Sequence, residues 1–401
     1  MNKDANSNYQ GDQFETIAIR EQTARSSLRE HSTPLHMSSS FVFDDAEQAR
    51  ALFADEQVGN IYTRFSNPNN SEFVNKLAKL EGAEEGLAVA SGMSGIFTTL
   101  SALLSQGDHL VASCALFGST HQMLEKILPR WGITHTYVPT ENMEAWDKAV
   151  TPTTKIVLVE TPSNPGLAIL DLDKVSAFAT KHNLLKLVDN TFATPWIQRP
   201  MEHGADVVIH SATKYIDGQG RAIGGAIVGK KELIKEIRFL ARHSGPSLSP
   251  FNSWLFSKSL ETLAIRMERH SSTAFQVAKY FENHDDVEKV TYPFLESHPS
   301  YDIAKKQMRA GGGIVSVTVK GGLDRGRRFL DDLTWFSHTA NLGDSRTIAT
   351  HPASTTHSKR TDEEKLKVGI TPGLVRFSIG LEDPGDIISE IERSLKSTRD
   401  L

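Results

Sequence analysis

Between about residues 66 and 260, short apolar runs alternate with helical patterns, and this alternation restricts the fold more than any other feature of the chain. "HLVAS" precedes a helical stretch at Thr120–Arg130, "KIVLVE" precedes another at Leu172–Asn183, and "LLKLVDN", "DVVIHS" and "GGAIVG" follow. In "DLDKVSAFATKHN", Leu172, Val175, Phe178 and Ala179 share one helical face behind an aspartate suited to cap the first turn. Such alternation predicts βαβ units and an α/β domain around a mainly parallel sheet. After Glu261 the order changes. A long helical pattern leads to "VEKVTYP", "GGIVSVTV" and "LVRFSIG", which predicts a smaller α+β domain over 261–401. Residues 1–65 are polar and broken, with "HSTPLHMSSSFVF" as their main apolar segment. They are expected to form an arm lying on another surface, such as a neighbouring subunit.

The bulk properties narrow the function classes. A formal net charge of −5 and a pI near 6.3 argue against nucleic acid or an anionic membrane as the main partner. Cys114 is the only cysteine, so an intrachain disulfide is impossible, and its expected role is that of a small buried residue. No apolar run approaches the length of a membrane span, and "MNKDANSNYQGDQFET" lacks the apolar centre of a signal peptide, so the cytoplasm is the expected compartment. His351 and His357 flank "PASTT" at a spacing that matches no zinc signature, and no metal is expected.

Three apolar runs end in polar groups: "KIVLVE" at Glu160, "LLKLVD" at Asp189 and "VVIHS" at Ser211. In open α/β sheets, ligands bind outside the carboxyl ends of the strands. Asp189 reads either as a turn or cap aspartate or as a carboxylate that keeps a ring nitrogen protonated. Lys214 in "HSATKY" reads either as a solvated surface amine or as one whose desolvation makes it a nucleophile. In "AVASGMSGIFTTL" an apolar run reaches Ser91-Gly92 and a helical pattern begins near Ser94. This is either a capped helix with a packing glycine or a cradle of free N–H groups for an anion, to which Ser211 and Thr213 add hydroxyls. A phosphate cradle, a carboxylate for a ring nitrogen and a lysine for an aldehyde together describe pyridoxal 5'-phosphate. A nucleotide fits less well, since there is no P-loop and "GGGIVSVTV" lacks the spacing of a dinucleotide turn.

"SGMSG", "ETPSNP", "VDNTFATP", "HSATKY" and "HPASTTH", in this order, resemble the Cys/Met-metabolism family of pyridoxal-phosphate enzymes, and the resemblance runs from "YTRFSNPNN" to "VRFSIG". It implies a fold-type I transferase with a seven-stranded, mainly parallel sheet. It also implies a homotetramer of tight dimers in which Tyr62 and Arg64 reach a neighbouring subunit's phosphate, with Tyr62 also near the substrate. On the same ground Lys214 holds the cofactor as a Schiff base and Asp189 pairs with its ring nitrogen. The backbone of Gly92 and Met93, with Ser211 and Thr213, binds its phosphate, and Asn164 contacts its ring oxygen. Arg376 clamps the substrate carboxylate, a task suited to guanidinium geometry, and Ser345 lines the substrate site. Where many relatives have tyrosine stacked on the ring, "ALFGST" has Phe117, which keeps the aromatic face and lacks the hydroxyl. Together with "NLGDSRTIATHPASTTH", this likens the chain to the family's O-succinylhomoserine sulfhydrylases, with O-succinylhomoserine and sulfide as the implied substrates. Cystathionine γ-synthesis, O-acetylhomoserine sulfhydrylation, γ-elimination and a catalytically silent cofactor-binding role are the alternatives.

Overall fold

The computed structural model describes residues 11–140, 142–355, 361, 363, 365 and 369–399. His357 lies outside them. The alternating region forms a seven-stranded sheet in the order β1-β7-β6-β5-β4-β2-β3. Its strands are β1 (Glu85–Val89), β2 (His109–Ser113), β3 (Thr134–Val138), β4 (Thr154–Glu160), β5 (Leu185–Asp189), β6 (Val207–Ser211) and β7 (Gly225–Gly229). Strands β2 to β6 pair in parallel, while β7 runs antiparallel to both of its neighbours. The central strands are apolar on both faces because both faces are covered. Val157, Val159, Val188 and Val208 pack into one core, and Ile156, Leu158, Leu187, Val207 and Ile209 pack into another on the opposite face.

The later segment builds a five-stranded sheet, β10-β11-β12-β9-β8. Its strands are β8 (Val287–Thr291), β9 (Ile314–Val319), β10 (Ser337–His338), β11 (Ile348–Thr350) and β12 (Leu374–Ser378). Val315, Val317, Phe377 and Ile391 centre its core, which the helices Leu263–Glu282 and Pro384–Ser397 cover. Among the described residues no helix is long and apolar enough to cross a membrane.

Two local readings change. The helix after β1 begins at Gly92, two residues earlier than the apolar pattern indicates. Ser91 accepts from the Ser94 N–H, and the Ser94 hydroxyl in turn accepts from the Ser91 N–H. This reciprocal cap is made by two serines and starts the helix before its first apolar residue. The N-terminal segment also contributes to its own chain's core: Phe14 and Ala18 of the helix Phe14–Arg20 are buried, and Thr23 and Thr33 bind Glu72. The Asp171 cap on Leu172–Lys181 forms as expected, accepting from the N–H groups of Asp173 and Lys174.

Lys186 on β5 is fully buried and ties three elements together. Its amine donates to the Leu172 carbonyl at 2.8 Å, the His203 carbonyl at 2.7 Å and the Ser176 hydroxyl at 2.5 Å. Replacing it with methionine leaves these acceptors without their shared donor. Lys186→Met is expected to lower unfolding free energy by about 3 kcal/mol, measured by urea denaturation. An unchanged midpoint would show that the three acceptors are satisfied without the amine.

Candidate functional site

Parallel pairing fixes where the polar strand ends lie. Glu160 at the end of β4 is in register with Asp189 at the end of β5, and Asp189 is in register with Ile209, two residues before Ser211. The three strands therefore open onto one crevice. Ser211 also meets the helix start at Gly92, where a Cβ would lie 2.7 Å from the Ser211 Cβ. Only glycine allows β6 and the helix to approach this closely. Gly225 serves the same junction, since a Cβ there would fall 2.3 Å from the Ser91 carbonyl oxygen.

Ser94 and Gly95 direct their N–H groups back to Ser91, whereas the N–H groups of Gly92 and Met93 belong to the first helical turn, which has no intrahelical acceptor. The helix spans twelve residues, so these donors are backed by its dipole. Ser91 caps the helix, as one of the two readings expects, and the N–H groups of Gly92 and Met93 lie beside that cap. The Ser211 N–H donates to the Thr191 hydroxyl at 2.9 Å. Thr213 is less free than expected: its hydroxyl donates to the Gly224 carbonyl at 3.2 Å and accepts from the Gly224 N–H at 3.1 Å.

Asp189 makes the turn that one of its readings expects. It accepts the Thr191 N–H at 3.0 Å, an aspartate turn. Burial raises its proton affinity above the ordinary aspartate range, against the lowering effect of Thr191 and of nearby His210. Glu160 is buried beside it, and burial together with the Asp189 charge pushes its carboxyl well above the usual range. Glu160 accepts the Phe117 N–H at 2.6 Å and also binds the Asn164 backbone, thereby fixing the two loops that flank the crevice. The Phe117 side chain remains 41% exposed on the loop whose N–H Glu160 holds.

Lys214 donates to the Asn341 Oδ1 at 2.6 Å. Burial, aided by the Arg376 charge, lowers its amine to about 8. Arg376 on β12 is buried, and its two Nη groups donate to the Asn164 Oδ1 and to the Asn341 carbonyl, both at 2.9 Å. Its Nε is buried and has no partner among the described residues. Asn164 is thus turned by Arg376, with its amide N–H groups left to donate elsewhere. The Lys214 loop rests on the segment 341–346: Ser345 N–H donates to the Gly218 carbonyl, Arg346 to the Gln219 carbonyl, and Gly343 abuts the Tyr215 backbone. Ser345 belongs to this support, and its hydroxyl donates to Asp344 at 3.3 Å.

The structure thus joins Lys214 to Arg376 through Asn341 and Arg376 to Asn164 directly, and brings Asp189, Ser211 and Gly92 together through the strand ends. Tyr62 and Arg64 stand apart. Their side chains meet each other, Phe65 and the Arg242 carbonyl, while the Tyr62 backbone pairs with Ser40 and accepts from Phe65 and Ser66. His351 is engaged by Ser354 and the Pro372 carbonyl. Asn341, Glu160 and Thr191 were not among the expected site residues. Glu160 was visible as a polar strand end, whereas Asn341 lies 127 residues from Lys214 with no local signal to mark it.

The set fits pyridoxal phosphate. It offers free N–H groups at a helix start, a carboxylate at the crevice, an exposed aromatic face and a desolvated lysine without a carboxylate partner. Residues 15–396 match the model of the Cys/Met metabolism PLP-dependent enzymes. The chain belongs to this family. It is 44% identical over 389 residues to an O-succinylhomoserine sulfhydrylase of Pseudomonas aeruginosa, covering 97% of this chain and 96% of the relative. It is also 44% identical over 384 residues to an L-methionine gamma-lyase of Fusobacterium nucleatum subsp. nucleatum, covering 95% and 97%. A Campylobacter jejuni structure bearing N'-pyridoxyl-lysine-5'-monophosphate superposes with a TM-score of 0.92 at 35% identity, over 95% of this chain and 99% of that one. The chain is a pyridoxal-phosphate enzyme of the α/β transferase fold.

With Lys214 as the attacking amine, the rate at which cofactor-free protein takes up pyridoxal phosphate should rise with pH and level off above a midpoint near 8, because only the neutral amine attacks. Stopped-flow absorbance checks this, and a midpoint near 10.5, the ordinary lysine value, contradicts it.

Proposed function

We propose that the chain catalyses γ-replacement, converting O-succinylhomoserine and sulfide to homocysteine and succinate. The observation that carries this reading is Phe117, which presents a phenyl face at the crevice and has no hydroxyl with which to move a proton. Proton transfer then falls to Lys214, the ionisable amine set beside Arg376. Relatives named O-succinylhomoserine sulfhydrylase support the same choice.

Pyridoxal phosphate, when bound, supplies an aldehyde that captures amino groups and a ring that accepts the electron pair of an adjacent carbon. Lys214 would hold it covalently and, once freed by the substrate's amine, would take the Cα proton, pass it on so that its own amine is neutral again, take a Cβ proton, and return protons to Cβ and Cα after sulfide has added. Asn341 accepts an N–H of that amine and limits where it swings. Asp189 would hold the proton on the ring nitrogen, the Gly92 and Met93 N–H groups with Ser211 would hold the phosphate, Thr213 would join them by turning its hydroxyl away from the Gly224 carbonyl, and Asn164 would donate to the ring oxygen. Arg376 binds the substrate carboxylate, which gives its unpartnered Nε a charged acceptor. Ser345 supports this substrate pocket. Succinate leaves with the electrons of its bond to Cγ, and sulfide forms the new carbon–sulfur bond and gives up a proton. A second copy of the chain brings Tyr62 and Arg64 to the phosphate, in a homotetramer of tight dimers in the cytoplasm.

The equal identity to a methionine γ-lyase favours γ-elimination as the second reading. Product analysis separates the two. With O-succinylhomoserine, sulfide and cysteine at equal concentration, homocysteine is expected in excess. Cystathionine in excess contradicts the sulfide assignment, and 2-oxobutanoate as the main product means elimination. Lys214→Ala should lower kcat by at least about a thousandfold while the far-ultraviolet spectrum is retained; multiple turnover near the parental rate would exclude Lys214 as the base.

A further inference from the structure

A buried carboxylate that the reaction above does not use joins three segments of the chain. Glu72 lies in the helix Pro68–Glu81, which packs against the helix Pro250–Leu260. Its Oε2 accepts the Thr23 N–H at 2.8 Å, the Thr23 hydroxyl at 2.9 Å and the Thr33 hydroxyl, while its Oε1 accepts the Ser257 hydroxyl at 2.6 Å. The Ser257 carbonyl in turn accepts the amine of Lys76, one helical turn beyond Glu72, at 3.2 Å. So many donors suit an ionised carboxylate, which only accepts. Burial works to raise the proton affinity of Glu72, yet the bonds from Ser257, Thr23 and Thr33 and the Lys76 charge leave it below the ordinary glutamate range.

The segment held in this way leads to Tyr62. The Thr33 carbonyl accepts the Trp254 indole N–H at 2.9 Å. The Pro34 carbonyl and the His36 N–H then bond to the two ends of the Asn69 amide, both at 2.8 Å, and the His36 carbonyl accepts from Asn67 Nδ2 at 3.0 Å. Beyond them residues 39–41 run antiparallel to 61–63. Ser40 pairs with Tyr62, the Thr63 N–H donates to the Ser39 carbonyl at 2.9 Å, and the Phe41 N–H donates to the Ile61 carbonyl at 3.1 Å. The Tyr62 backbone therefore rests on a ribbon whose other end is pinned by Glu72. Leu28, Met37 and Val42, which lie between and beyond these anchors, are apolar and exposed, as suits a segment that meets a second copy of the chain.

We propose that Glu72 is a positioning residue that pins residues 23–41 to the body of its own subunit and so presents Tyr62 and Arg64 to the cofactor phosphate of a second copy. This rests on the reading of Tyr62 and Arg64 given above. A pinned arm meets the phosphate already ordered, whereas a released arm loses conformational freedom at each binding event, which weakens binding. The effect is confined to the phosphate, because Lys214 and Asp189 are held by other contacts.

The test compares Glu72→Leu, Glu72→Gln and Arg64→Ala with the parental protein, each freed of cofactor and titrated with pyridoxal phosphate and, separately, with pyridoxal, which lacks the phosphate. Glu72→Leu and Arg64→Ala should each weaken binding of pyridoxal phosphate about tenfold and change that of pyridoxal less than about twofold. Glu72→Gln should fall between Glu72→Leu and the parent, since its amide oxygen still accepts from the threonines and its N–H donates to the Ser257 hydroxyl. Trypsin should cut after the exposed Arg25 and Arg29 faster in Glu72→Leu, with assembly unchanged in sedimentation. Parental affinity for pyridoxal phosphate in Glu72→Leu, with Arg64→Ala weakened, overturns the pinning while keeping the role of Arg64. Parental affinity in Arg64→Ala overturns that role itself, and the proposal with it. Equal weakening of both ligands in Glu72→Leu, or its dissociation into monomers, also contradicts the proposal, because Glu72 would then serve folding or assembly in general. Should Glu72→Leu fail to fold, Thr33→Val and Asn69→Ala loosen the same arm at neighbouring contacts and are judged by the same pair of titrations.

Discussion

Two carboxylates ending adjacent parallel strands in the same register are the constraint on which this site depends. Glu160 and Asp189 face each other across the β4–β5 pair, both raised in proton affinity by burial. Such a placement is costly unless each charge has work or partners. Glu160 has the Phe117 and Asn164 N–H groups. Asp189 has the Thr191 N–H, and keeps capacity to accept one more donor. A cationic ring nitrogen, as proposed above, would satisfy that remaining demand.

The amine of Lys214 presents the converse problem. It is desolvated, lies near the positive Arg376, and finds an amide oxygen where a solvated lysine would find water. Asn341 supplies that oxygen from its side chain, while its carbonyl receives Arg376. One residue from the later part of the chain thus connects Lys214, the proposed base, to the group proposed to bind substrate. The segment 341–346 braces the Lys214 loop at Gly218 and Gln219 as well. The smaller sheet is in this sense a support for the mouth of the larger one.

Much of this was legible in the sequence because it is local. Strand–helix alternation locates the sheet, and polar residues directly after apolar runs mark its carboxyl edge, so Asp189, Ser211 and Lys214 stand out. What was not legible arises from packing between distant segments. Asn341 and Lys214, or Glu81 and His210, meet only once two sheets and a helix have assembled, and neither member of either pair carries a local pattern. The early start of the helix at Gly92 escaped notice for a smaller reason: a serine pair makes the cap where a glutamate or glutamine more commonly stands at the third position. The hydroxyl of Thr213 was expected to be free, and its bond to Gly224 follows from the close return of the chain into β7.

The most direct measurement is to reduce the cofactor-loaded protein with borohydride, digest it and locate the pyridoxyl group by mass spectrometry. The account predicts the label on the peptide containing Lys214 and on no other. Label on Lys186 or Lys76, the other deeply buried lysines, would contradict it, because neither faces the crevice formed by Asp189, Ser211 and Gly92.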